Sequence, residues 1–152
     1  MDRETALQKM QRYCAYQDRC HREARYKLVE LGVYGDLLEE ILAELIADNF
    51  LNEERFARSF ARGKFRLKKW GRQRILRELK QRDVSEYCIR AGLSEIDEEE
   101  YRDTLTQVLD DYFDKHPQAN LFALRQKAVQ HAVRRGFELH LAWEAAQKLA
   151  PD

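Results

Sequence analysis

The sequence is poor in the residues that punctuate a chain, with six glycines and two prolines in 152 residues. That scarcity speaks against a sheet protein, which needs many tight turns. Cysteines are few and odd in number. Cys14, Cys20 and Cys88 cannot build a disulfide framework, which fits a reducing compartment and leaves them as buried or half-buried thiols. No apolar run approaches the roughly 20 residues needed to cross a bilayer. The charged start at Asp2 and Arg3 is followed by no apolar leader segment, so a cytoplasmic protein without membrane contact is expected. Motifs of chemistry are missing too: there is no glycine-rich phosphate loop, G-x-S-x-G elbow or H-E-x-x-H pair. His21, His116, His131 and His140 contain no pair at a metal or catalytic spacing, and Cys14, Cys20 and His21 lack the second ligand pair of a structural zinc site. Neither catalysis, metal nor cofactor is expected.

What the chain has in abundance is Leu, Ala, Glu, Lys, Arg and Gln, the helix formers. A composition 44% apolar and 36% charged is too polar for one deep interior, so it predicts a thin, elongated body. Internal repeats set its order. With Leu28, Leu79 and Ala132 in register, Ala24, Ile75 and Ala128 lie four residues earlier, and Val33, Val84 and Phe137 five later. Leu37, Cys88 and Leu141 follow, then Leu38, Ile89 and Ala142, and finally Leu45, Ile96 and Leu149. The i, i+4 spacing gives each copy one apolar stripe. Leu51-Asn52-Glu53-Glu54-Arg55-Phe56 matches Ile96-Asp97-Glu98-Glu99-Glu100-Tyr101: Asn52 and Asp97 read as N-caps, Leu51 and Ile96 as staples, and Glu100 as the second half of a capping box with Asp97.

The expected fold is therefore all-α: tandem three-helix repeats stacked into an elongated, curved body. Helices are predicted near 3–16, 19–31, 35–48, 52–67, 71–82, 85–93, 97–115, 119–135 and 138–149, with Gly32, Gly71 and Gly136 at permissive turns. The divisions are an N-terminal helix at 1–17, repeats at 18–69 and 70–116, and a shortened third repeat at 117–152.

The formal net charge of zero conceals a strong asymmetry. Residues 62–82 carry Arg62, Lys64, Arg66, Lys68, Lys69, Arg72, Arg74, Arg77, Lys80 and Arg82 against the single acid Glu78, whereas residues 94–114 hold acids with the single base Arg102. One end of the molecule should be positive and another negative. The basic run is interleaved with Phe65, Leu67 and Trp70, and on a helix whose buried stripe is Ile75 and Leu79, the side chains of Arg74, Arg77 and Lys80 face away from the core. Arg62, Lys64, Arg66, Lys68, Lys69, Arg72, Arg74, Arg77 and Lys80 are thus the candidate contacts to a partner or to DNA, with Arg125, Arg134 and Arg135 as a reserve. A solvated helix face is the plain alternative, and Trp70 reads as an anchor or as packing between repeats.

Phe50-Leu51-Asn52-Glu53-Glu54-Arg55-Phe56-Ala57, then Lys64, then Trp70-Gly71-Arg72 with Ile75, Leu79 and Val84, resemble the central signature of the RecX family. Arg134-Arg135-Gly136-Phe137 is similar to the turn of that family's last repeat, so the likeness spans about residues 20–149. Four positions depart: Asn52 stands where Asp is common, Arg82-Asp83 where Lys-Gly is usual, and Cys20 where a capping Ser is usual. The resemblance implies a monomeric, non-enzymatic, mainly negative regulator of RecA, lying in the groove of the RecA filament on single-stranded DNA. A helical DNA-binding module acting without RecA, and a general helical scaffold, are the competing classes.

Overall fold

A computed structural model describes residues 1–117 and 119–151. Among these residues the chain forms nine helices and no strand. They are α1 (Arg3–Tyr16), α2 (His21–Glu30), α3 (Gly35–Ala47), α4 (Glu53–Lys68), α5 (Arg72–Gln81), α6 (Glu86–Leu93), α7 (Glu98–Lys115), α8 (Leu121–Arg134) and α9 (Leu139–Leu149). None is long and apolar enough to cross a membrane.

Most of the starts are set by a side chain that accepts one of the orphan N–H groups of a first turn. Asp2 accepts from Thr5 N at 2.7 Å, Asn52 from Arg55 N at 2.9 Å, Asp97 from Glu100 N at 3.0 Å and Asn120 from Ala123 N at 3.1 Å. Cys20 also caps: its Sγ accepts from Glu23 N at 3.5 Å and donates to Glu23 Oε1 at 3.2 Å. Glu100, by contrast, does not close a box with Asp97; its carboxylate turns to Arg66, at 3.7 Å.

The ends are repeat-related. Val33 N donates to Leu28 O at 2.9 Å, Val84 N to Leu79 O at 3.2 Å and Phe137 N to Ala132 O at 3.1 Å, each beside a bond that residue 32, 83 or 136 makes to the carbonyl three residues before it. This is the Schellman stop, and it requires a left-handed residue just past the helix. Gly32 (φ 85°) and Gly136 (φ 107°) supply it, and Asp83 does so at φ 59°, where a side chain is less at ease. Gly71 has a different reason for being glycine. Its φ is not positive, and a Cβ there would run into the backbone of Gly136 and Phe137.

By internal contacts, residues 1–59 with 79–92 form one compact unit and residues 60–78 with 93–152 another, the cuts falling within α4, within α5 and at the end of α6. In the first unit α1, α2 and α3 pack pairwise. They bury Ala6, Met10 and Cys14, Ala24 and Leu28, and Leu38, Ile41, Leu42 and Leu45, closed by Val33 and Leu51. Fully burying such an aliphatic side chain contributes roughly 1.5–3 kcal/mol. In the second, α7, α8 and α9 pack pairwise around Leu105, Leu109, Ala128, Ala132, Ala142 and Ala146. The buried Tyr101 ring lies 5.8 Å from Phe65 and 5.1 Å from Phe137. The register positions Ala24, Ile75 and Ala128, and Leu28, Leu79 and Ala132, are all fully buried.

Candidate functional site

The basic run occupies the C-terminal half of α4 and the whole of α5, and the structure sorts its members by what they meet. Three arginines are held by acids of the neighbouring acidic run. Arg62 reaches Glu95 at 2.5 Å, and Arg66 lies 3.7 Å from Glu100. Arg72 bridges Glu98 at 2.8 Å and Glu138 at 2.7 Å, its guanidinium 3.9 Å from the centre of the Tyr101 ring. The two oppositely charged runs therefore meet over these residues instead of marking opposite ends of the molecule.

Arg72 is the centre of a polar network. Its backbone N–H donates to Tyr101 Oη at 3.0 Å, and Tyr101 Oη donates in turn to Glu138. Burial pushes the Tyr101 phenol up, and its bond to Glu138 adds to the rise. Burial opposes the charge of Arg72, yet the bonds to Glu98 and Glu138 outweigh it and the guanidinium is held more firmly protonated than usual. Arg72 also holds the Glu98 carboxyl below the usual carboxylate range. Glu138 is the residue that reasoning from sequence missed. It stands at the N-cap of α9 but makes no cap bond there, and an acid at a cap position was the only signal it gave.

The remaining cations are organised around Trp70. Arg74 lies over its ring at 4.0 Å and Lys64 at 4.9 Å, and Phe60 meets it edge-on at 6.2 Å. Lys64 is also 5.5 Å from the Phe60 ring. Trp70 is thus half-buried packing that carries two cations, each such contact contributing about 0.5–1 kcal/mol at an exposed site. Lys68, Arg77 and Lys80 are exposed and Lys69 is half-buried, and among the described residues none of the four has an ion-pair partner. Of the reserve residues, Arg125 is only 5% exposed and Arg134 is exposed. Arg135 donates to the carbonyls of Lys68 and Lys69. No group of three His, Cys, Asp or Glu side chains among the described residues is placed to hold a metal ion.

A family model described as RecX, second three-helix domain, matches residues 52–93, which span α4 to α6. A regulatory protein RecX from Prosthecochloris aestuarii is 30% identical over 139 residues, covering 90% of this chain and 88% of that protein. One from Lactobacillus gasseri is 28% identical over 144 residues, 95% of this chain but 53% of its own length. The chain thus spans about half the length of several curated relatives that it matches. Crystal structures share the fold: RecX from Lactobacillus salivarius superposes with a TM-score of 0.86 over 97% of this chain and 96% of its own, at 18% identity. A second crystal structure, of a regulatory protein RecX, gives 0.84 over 96% of this chain and 71% of its own, at 21% identity.

Proposed function

Since the chain belongs to the RecX family, we infer that it is a regulator that binds the RecA filament on single-stranded DNA and lowers its ATP hydrolysis and strand exchange. It acts by binding and not by catalysis, as a monomer in the cytoplasm. A ligand that favours one filament geometry, or occupies a growing end, biases assembly by its difference in affinity between states.

The observation that carries the reading is the contrast within one basic run. Arg62, Arg66 and Arg72 are neutralised by Glu95, Glu100, Glu98 and Glu138, while Lys68, Lys69 and Arg77 beside the Lys64–Trp70–Arg74 stack have no counterion among the described residues. Charges left without partners beside a rigid aromatic group gain from meeting phosphates or an acidic groove. The basic run is equally compatible with a helical module that binds DNA directly, without RecA.

The test adds the purified protein to preformed RecA filaments and follows ATP hydrolysis with the parent and with a Lys68→Glu, Arg77→Glu double variant. Both positions are exposed and have no ion-pair partner among the described residues, so folding should change by no more than about 0.5 kcal/mol per site. The parent is expected to slow hydrolysis at stoichiometric amounts and the variant to do so poorly. No effect of the parent refutes the inference, and full inhibition by the folded variant moves the contact elsewhere. Salt separates the alternative: binding to DNA alone should fall steeply with salt, whereas filament binding should persist where naked DNA is released.

A further inference from the structure

A cleft of about 290 Å³ in the second unit is lined by Lys69, Val108, Asp111, Tyr112, Lys115, His116, His131 and Arg135. Three chain segments meet there, all near helix ends: the residue after α4, the last turns of α7, and the last turn and cap of α8. The plain explanation for cations at such places is that they answer the carbonyls of helix C-termini. Part of the cluster does this. Arg135 donates to the Lys68 and Lys69 carbonyls, and His116 Nδ1 lies 3.1 Å from Tyr112 O.

Lys69 and Lys115 are not used that way. Among the described residues neither ammonium has an acidic partner, and the single acid of the cleft, Asp111, forms no ion pair. The imidazoles sit on a shared aromatic surface: His116 stacks on Tyr112 at 4.1 Å and His131 tilts against it at 5.1 Å. Facing His131 are Lys115, His116 and Asp111 from α7, Arg134 and Arg135 from the end of α8, and Lys69 after α4, while Lys127 borders the adjoining cleft with Tyr112 and His116. Burial holds the His131 imidazole below its ordinary range, and the positive charges of Arg135, Arg134, His116 and Lys115 lower it further.

The geometry points to a binding site for a phosphate group in this cleft, with Lys69 and Lys115 as the charge donors, His131 and His116 as hydrogen-bonding walls, and Tyr112 as the floor. Phosphate has the right chemistry because it offers several acceptor oxygens to donors that converge from three segments. Its charge also relieves the mutual repulsion of those donors. The site does not rest on the inferred action on RecA. The group has two possible sources, a free nucleotide or the backbone of a nucleic acid.

The experiment uses the protein alone, following the histidine ring resonances by NMR while inorganic phosphate is added, with chloride at matched ionic strength as the control. Saturable shifts of His131 and His116 are expected with phosphate and not with chloride. The pH titration of His131 should also move upward, because the bound anion favours the imidazolium. Lys115→Gln and Lys69→Gln should each weaken binding about tenfold, as expected for loss of a charge-assisted bond. Arg135 is left in place because it pins two carbonyls. Deoxyadenosine monophosphate and a short oligothymidylate then separate the sources, the tighter binder identifying which one the cleft takes, and either result supports the site. Shifts that are absent, that chloride reproduces, or that survive both lysine variants unchanged overturn it. With RecA absent, such a failure leaves the regulatory reading standing, and the ATP hydrolysis assay can fail without touching this site.

Discussion

Replacing Gly71 by Ala adds one methyl group, and the structure makes its cost unusually definite. The new Cβ would occupy space already held by Gly136 C, Gly136 O and Phe137 N. These are backbone atoms, so no rotamer change relieves the clash. The two segments are also tied together, Gly71 N donating to Arg135 O at 2.8 Å and Gln73 N to Gly136 O at 2.9 Å. Overpacking of this kind costs about 1–3 kcal/mol. Separating these two segments weakens two hydrogen bonds that contribute roughly 0.5–1.5 kcal/mol each. The sum is about 2–6 kcal/mol, offset by no more than about 1 kcal/mol from the stiffer unfolded chain. For a chain of this size that is a fall in Tm of roughly 10 °C.

The matched control is Gly63→Ala. Gly63 lies inside α4 with nothing within 4 Å of an added Cβ, so the same change should raise stability by about 0.8–1 kcal/mol through helix propensity. Thermal melts followed by far-ultraviolet circular dichroism measure both. Hydrogen exchange should show the Gly71→Ala loss concentrated around residues 71–73 and 135–137. A Gly71→Ala protein that melts at or above the parent temperature would refute the close approach, and equal shifts of one sign in the two variants would refute the contrast.

Asp83→Gly should stabilise by about 1 kcal/mol, because Asp83 sits at φ 59° in a stop where Gly32 and Gly136 stand in the other repeats; a lower Tm would count against this. Tyr101→Phe removes the hydroxyl that joins Arg72 N to Glu138 and should cost about 1–3 kcal/mol, read by urea unfolding, with no change meaning that water replaces it. Burial raises Cys14 and Cys20 to about 11 from an ordinary 9.0, so the unfolded chain loses these protons first. Their contribution is then complete below pH ~9 and lost as pH rises toward 11, at about 1.4 kcal/mol per pH unit per thiol. A stability curve flat across that window would contradict the burial of both thiols.

Periodicity was the most legible property of the chain. Ala24, Ile75 and Ala128, and Leu28, Leu79 and Ala132, are buried as their register predicts, and the helices lie within two residues of the expected limits, because a 3.6-residue stripe and a capping side chain are local signals. Gly71 was misread because a turn glycine and a close-approach glycine look alike until the distant partner, Gly136, is known. The charge runs were misread for a related reason. Composition counts Arg62, Arg66 and Arg72 as available, but their acids lie 26 to 66 residues away in sequence, at Glu95, Glu100, Glu98 and Glu138. The stacking of Lys64 and Arg74 on Trp70 likewise depends on how α4 gives way to α5, which no spacing rule encodes.

That sorting of charges makes Arg72→Lys a sharp test, because it keeps the charge and changes only its shape. Arg72 uses Nη1 on Glu98 and both Nε and Nη2 on Glu138, while its plane lies over Tyr101. A lysine ammonium is a point donor: it reaches one carboxylate at a time and cannot lie flat on the ring. The lost bridge and stacking should together cost about 1–3 kcal/mol, since hydrogen bonds between charged groups contribute about 1.5–3 kcal/mol and stacking about 0.5–1 kcal/mol, less what lysine retains. If Arg72 acts only within the fold, Arg72→Lys lowers Tm but leaves the salt dependence of partner binding unchanged. Lys68→Glu with Arg77→Glu should do the reverse, leaving Tm in place and flattening the salt dependence. The two readouts are independent. An Arg72→Lys protein with parental Tm and weakened binding would place Arg72 on the contact surface and undo the division of the basic run.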